Sequence, residues 1–178
     1  MTGSVVTTQY VTRQEVNRWA KIDVDGTIWH RMGDVGYLDA TGRFWFCGRM
    51  THRVQTASGT LFTVPCESIF NTHEDVFRSA LVGVGSVGRQ RPVLVIEPFA
   101  HAFPRDQVAE QRFIGALTGL AEKFPQTSPI RDFFFHPNLP VDIRHNAKIF
   151  REKSLTKELT LEFTITPSFL SSSTTSPT

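Results

Sequence analysis

Asp34 and Arg49 bracket a short aromatic-rich stretch, with an acceptor-only carboxylate at one end and a five-donor guanidinium at the other. Such a pair can grip a ligand bearing hydroxyls, or can simply form a surface ion pair. More positive charge gathers between Pro140 and Arg151, in Arg144, His145, Lys148 and Arg151, where composition alone reads as a solvated basic loop. Cys47 and Cys66 lack metal-ligand spacing and are expected to be reduced packing thiols; no metal site is expected in this chain. Gly83-Val84-Gly85-Ser86-Val87-Gly88 fits G-x-G-x-x-G after a strand. A dinucleotide loop must open a helix whose N-terminus holds the pyrophosphate, whereas here Pro92 and a new strand follow almost at once, so we do not assign that role.

Two extended runs position the Asp–Arg pair. Val35–Leu38 and Arg43–Cys47 are rich in aromatic and β-branched residues, and Asp39-Ala40-Thr41-Gly42 between them has hairpin chemistry, with a glycine able to take positive φ. Upstream, Val5–Thr8 reads as extended, and Thr12 with Glu15 as a capping box opening a helix to about Ala20. Asp23–Gly26 reads as a turn and Thr27–Arg31 as a strand. The first 49 residues thus resemble part of a sheet whose apolar faces need partners, which predicts further chain upstream of Met1.

Beyond Arg49, Val54–Val64 reads as a second hairpin about Ser58-Gly59, and Pro65 as the first residue of a helix to about Thr72 with Glu67 in its first turn. Ser79–Val84, Pro92–Glu97 and Ile130–His136 are apolar enough for buried strands. Between the last two, Pro104–Phe124 carries Val108, Phe113, Ala116, Leu117, Leu120, Ala121 and Phe124 mostly on one stripe, predicting a helix that covers a sheet. Glu152–Leu161 is a terminal helix candidate, and the Ser/Thr/Pro-rich stretch from Pro167 to Thr178 is expected to stay disordered. The fold class predicted is α+β, with a three-stranded sheet and packing helices.

The chain has 178 residues, 40% of them hydrophobic, enough for one core plus an extra lobe. Its net charge of +2 is too mild to argue for nucleic acid. No apolar run approaches the roughly 20 residues of a membrane span, and Met1–Tyr10 lacks the pattern of a signal peptide, so a cytoplasmic location is expected.

The run Gly33-Asp34, Gly36-Tyr37-Leu38-Asp39, Gly42, Gly48-Arg49 resembles the GD-x-GY-x-D-x-x-G-x-x-x-x-x-GR motif of the acyl-adenylate-forming enzymes, the acyl-CoA synthetase and luciferase superfamily. The resemblance implies that Asp34 binds the ribose hydroxyls of ATP or AMP, that Arg49 lies beside it, and that Met50 and Thr51 form a hinge. Pro140 through Arg151 is similar to the family's terminal P-x-x-x-x-x-G-K-x-x-R loop, which makes Lys148 the lysine that enters the active site. Ala147 replaces the usual glycine, removing some backbone freedom. The runs Trp29–Asp39, Val64–His73 and His145–Lys153 resemble a narrower group, the β-lactone synthetases of the bacterial long-chain olefin pathway.

The likeness extends over roughly residues 5–157 and implies the last third of such an enzyme. Residues 1–49 would end the large nucleotide-binding domain, 50–162 would form the mobile C-terminal α+β domain, and 163–178 a tail. The implied reaction joins a long-chain 2-alkyl-3-hydroxy fatty acid to ATP with Mg²⁺, whose ligand should lie upstream, and the resemblance points to other olefin-pathway enzymes as candidate partners in a complex. No phosphate loop or acyl pocket occurs in these residues, so this stretch alone is expected to be inactive. A long-chain fatty acyl-CoA ligase and a non-catalytic binding module are the alternatives. Thr51 and Gln55, where many relatives carry Asp and Lys, count against the domain rotation used by the CoA-forming members.

Overall fold

The computed structural model describes residues 1–142 and 148–149. The expected helix at Glu152–Leu161 and the tail lie outside the described residues, as does most of the Arg144–Arg151 run.

The N-terminal part consists of a short helix and two small hairpins. Helix α1, Gln14–Ala20, starts where expected but without the capping box: its N-cap is Arg13, which makes no side-chain cap. Arginine carries only donors and cannot accept from the first-turn amides. Asn17 instead fastens the helix to the preceding strand-like chain, its Oδ1 accepting from Tyr10 N at 2.7 Å and its Nδ2 donating to Tyr10 O at 3.1 Å. Val5–Thr8 forms no strand; a turn closes there with Val6 N donating to Gly3 O. Strand β1, Lys21–Val24, unforeseen in the sequence, pairs antiparallel with β2, Thr27–His30. Asp25 and Gly26 both have positive φ, 50° and 77°, which gives the two-residue turn the twist that antiparallel strands require.

Strands β3, Asp34–Leu38, and β4, Phe44–Arg49, form the expected hairpin, with a register irregularity between Val35 and Gly36. Asp39 governs its turn. Its Oδ1 accepts from Thr41 N, Thr41 Oγ1 and Arg43 N at 2.7–3.0 Å, and its Oδ2 accepts from Arg43 Nε and Trp45 Nε1 at 2.9 Å. Tyr37 and Trp45 face each other across the strands and stack at 6.4 Å. Toward its turn both faces of this ribbon are open: Tyr37, Leu38, Phe44, Trp45 and Phe46 are each 45–67% exposed.

Residues Met50–His52 make one turn of 3-10 helix, then β5, Val54–Thr56, pairs with β6, Gly59–Leu61, around Ala57-Ser58. Helix α2 runs Thr63–Phe70, beginning two residues before Pro65. Proline is tolerated there because the first amides of a helix have no intrahelical acceptor; the first amide used is that of Cys66, donating to Phe62 O. Glu67 is therefore not a first-turn surface residue. It is buried, and its Oε1 accepts from Leu81 N at 2.8 Å.

The main sheet has the order β7-β8-β9: β7, Val76–Val84, runs antiparallel to β8, Arg91–Pro98, which is parallel to β9, Asp132–Phe135. The parallel step is made through α3, Gln107–Ala121, shorter at both ends than the expected Pro104–Phe124 and capped by Asp106, whose Oδ1 accepts from Ala109 N at 2.8 Å. Within α3, Phe113, Leu117 and Ala121 are buried at i, i+4, i+8 spacing, whereas Val108 and Ala116, expected on the stripe, are exposed. One face of the sheet presents Leu81, Leu94, Ile96 and Phe133 to both helices and to Val54 and Leu61. The opposite face, with Ala80, Val82, Val93 and Val95, is covered by Leu139, assisted by Val141. The architecture is α+β. Among the described residues no helix is long and apolar enough to cross a membrane.

Candidate active site

Asp34 and Arg49 are direct cross-strand partners, the terminal pair of the β3–β4 ladder. Arg49 Nη1 lies 2.9 Å from Asp34 Oδ1 and donates to Met32 O at 2.6 Å, so the guanidinium is held between the carboxylate and the chain entering β3. The side chains are 26% (Asp34) and 44% (Arg49) exposed, which leaves the pair open to solvent on one side. The surface ion pair that the residue types allowed is thus formed. Among the described residues Asp34 Oδ2 takes no side-chain hydrogen bond, so the pair retains acceptor capacity for hydroxyls. The structure brings together these two of the residues expected at a site.

Gly48 sets how this hairpin meets the following helix. It has φ 119°, and a Cβ built there would collide with Thr63 Oγ1 in the first turn of α2. Only a glycine allows strand and helix this close. Met50 and Thr51, the expected hinge, occupy the 3-10 turn immediately after, with Met50 N donating to Gly33 O at 2.8 Å. Beyond them the chain is gripped firmly. Gln55 N donates to Gln90 Oε1 and Gln90 N to Gln55 O, both at 2.9 Å. The Gln90 side chain fits over Gly83, where a Cβ would meet its amide at 2.7 Å, and donates to Gly83 O at 3.3 Å. The glycine-rich segment Gly83–Gly88 accordingly ends β7 and enters the turn to β8, and opens no helix.

Lys148 falls on a two-residue strand, β11, Lys148–Ile149, which pairs antiparallel with β10, Val141–Asp142, in the register Val141↔Ile149 and Asp142↔Lys148. The loop expected around Lys148 therefore has a strand pair at its base. Lys148's side chain lies outside what is described. No contact among the described residues links Asp34 or Arg49 to this strand pair.

What anchors the strand pair is a charged group that the sequence reading left as a strand end. Glu97, at 6% exposed, accepts from Arg78 Nε at 2.6 Å and from Arg78 Nη2 at 3.1 Å, and its Oε2 also accepts from Leu139 N at 2.7 Å. The available signal was parity: Glu97 shares a strand face with Val93 and Val95, so a carboxylate there had to be inward and paired.

Three ionisable groups depart from ordinary behaviour. The pKa of His30 is lowered, by burial first and then by the nearby Lys21 and N-terminal charges. The Asp39 carboxyl is held well below the usual range, first by the hydrogen bond from the Trp45 indole and then by those from Thr41 and the Arg43 backbone. Burial, aided by the neighbouring Glu67 charge, pushes the Cys66 thiol up to about 12, so it is an inert packing group. Both cysteines are buried and free. Among the described residues no group of three or more His, Cys, Asp and Glu is placed to hold a metal ion.

Comparison with known proteins gives these features a context. No protein-family model matches the chain. An olefin β-lactone synthetase of Xanthomonas campestris pv. campestris is 49% identical over 160 residues, covering 85% of this chain and 28% of that enzyme. One from Stenotrophomonas maltophilia is 47% identical, covering 85% and 27%. The chain thus spans little more than a quarter of these relatives. In fold it is similar to the o-succinylbenzoate CoA synthetase of Bacillus subtilis solved with its acyl-adenylate intermediate, at a TM-score of 0.69 and 19% identity, over 88% of this chain and 30% of that one. The same synthetase has been solved with AMP and with ATP and a magnesium ion. Over most of its length the chain is thus similar in sequence to the olefin β-lactone synthetases, and it shares its fold with part of an acyl-CoA-forming synthetase.

Proposed function

We propose that this chain supplies the ribose-binding carboxylate, the hinge and the active-site lysine of an ATP-dependent enzyme that closes 2-alkyl-3-hydroxy fatty acids into β-lactones. The supporting observation is the pairing of Asp34 with Arg49 at the end of a hairpin, in a chain so similar to the synthetases named above. In this reading residues 1–49 end the nucleotide-binding domain and 50–162 form the C-terminal domain that carries Lys148.

The substrate carboxylate attacks the α-phosphorus of ATP, forming a carboxylate–phosphate bond as pyrophosphate leaves. Two anions approach each other in that step. A lysine ammonium aimed between them offsets the repulsion, and preorganised contacts of this kind are worth about 10²- to 10³-fold in rate. Asp34 accepts from the ribose hydroxyls and Arg49 fixes its carboxylate, so the nucleotide is oriented without either residue touching the reacting bond. In the second step the 3-hydroxyl oxygen bonds to the activated carbonyl, its proton is lost, and AMP departs. Having nucleophile and acyl phosphate on one molecule helps to offset ring strain. Magnesium would screen the phosphates; the described residues offer it no ligand set. Two buried free thiols suit a reducing, cytoplasmic compartment, and association with other enzymes of olefin formation belongs to the same reading.

The test is product identification with the full-length enzyme, ATP, Mg²⁺ and a long-chain 2-alkyl-3-hydroxy acid, with and without CoA. NMR of the extract should show lactone ring protons without CoA. A CoA-dependent thioester with no lactone would move the assignment to the acyl-CoA ligases. The 178-residue chain by itself should release no pyrophosphate; turnover by it alone would overturn the view that it acts only within a longer enzyme.

A further inference from the structure

Leu139 is fully buried among Ala80, Val82, Val93 and Val95, two residues before the strand that pairs with Lys148–Ile149. Its amide is held by Glu97 Oε2 at 2.7 Å, across 42 residues of sequence. The same carboxylate receives two bonds from Arg78, its cross-strand neighbour in the β7–β8 ladder. We propose that Arg78 and Glu97 are positioning residues that set the register of the lysine-bearing strand pair on the sheet; for catalysis this rests on the reading of Lys148 given above.

Three features carry the inference. Leu139 is fully buried, where leaving its amide without an acceptor is costly, and Glu97 Oε2 is the acceptor it reaches, so the segment Pro137–Pro140 has one favoured seat. A slip of one residue would withdraw both the Leu139 amide from Glu97 and the Leu139 side chain from its slot. Val141 then packs in the same cluster and pairs with Ile149, and Asp142 pairs with Lys148, so the anchored register passes to the lysine backbone within three residues. For stability alone, a buried ion pair is no better than an apolar pair of similar size; what it adds is a directional bond. The rest of the turn is consistent with a fixed seat, with His136 N donating to Ile96 O at 2.8 Å and Asn138 N to His136 Nδ1 at 3.0 Å.

Hydrogen exchange on the 178-residue chain tests the anchor, with Glu97→Gln, which keeps an oxygen acceptor, and the apolar double variant Arg78→Met with Glu97→Met. The double variant should stay folded and leave the Leu94 amide protected, yet speed exchange at Leu139 by about tenfold or more; Glu97→Gln should fall between it and the parent. Unchanged Leu139 exchange in a folded double variant would overturn the proposal, and so would acceleration shared equally by Leu94. In the full-length enzyme the double variant should lower kcat for pyrophosphate release about tenfold with KM for ATP nearly unchanged. Its loss should be non-additive with that of Lys148→Ala. Additive losses would refute the link to Lys148. A Lys148→Ala enzyme of normal activity would instead refute the role of the lysine, and the exchange result at Leu139 would still decide the anchor.

Discussion

At the scale of single residues, Lys148 and Asp34 should fail in different ways. In the full-length enzyme Lys148→Ala should slow adenylation by about 10²-fold or more while thermal unfolding stays close to the parent, because the charge acts on the approach of two anions. Pyrophosphate release in single turnover checks it. Asp34→Ala should weaken nucleotide binding, measured by calorimetry, by about 1.5–3 kcal/mol, the range for hydrogen bonds to a charged acceptor. Its effect on folding should be small, since its partner Arg49 is 44% exposed and solvent-open ion pairs contribute about 0–1 kcal/mol. The Asp34–Arg49 pairing could be anticipated from sequence because the two flank one tight turn, so hairpin geometry alone brings them together. Glu97 was opaque for the opposite reason: its amide partner at Leu139 is brought by the tertiary fold, not by any local pattern.

At the scale of elements, the β3–β4 hairpin depends on Asp39, the acceptor for five donors around its turn. With its pKa depressed in the folded state, Asp39 contributes fully at any pH above the ordinary carboxylate value, and the contribution is lost only as pH falls through the depressed one. Trp45 fluorescence should therefore stay constant from pH 7 to about 4 and change only in stronger acid, whereas Asp39→Ala should show the altered emission already at neutral pH. The β3–β4 and β5–β6 hairpins and the three strands of the main sheet were legible because glycine placement and apolar runs are local signals, whereas β1 was not foreseen and Val5–Thr8 formed no strand. Helix starts were not legible either. Thr12 and Glu15 had capping-box spacing, yet the helix begins after Arg13 and Asn17 does the fastening; Pro65 suited a first helical position, yet α2 starts at Thr63, where a proline two residues later loses nothing. Val108, in the first turn of α3, fitted the apolar stripe and is 80% exposed.

At the scale of the molecule, the α+β class followed from the spacing of three apolar strands about one amphipathic helix, and the motifs led to the right relatives. The two faces of the sheet could not be told apart in sequence: both helices went to one, and among the described residues Leu139 in a Pro-flanked turn, with Val141 of β10, covers the other. The N-terminal hairpins found no such cover. Tyr37, Leu38, Phe44, Trp45 and Phe46 stand in water on both sides of one ribbon. A ribbon of that composition makes the isolated chain a poor colloid, since salts excluded from protein surfaces strengthen the association of bare aromatic patches. Turbidity should rise at lower ammonium sulfate for this chain than for a Phe44→Thr, Phe46→Thr variant, whose hairpin keeps its β-favouring residues, and a hydrophobic dye such as ANS should lose much of its fluorescence on going from the first to the second.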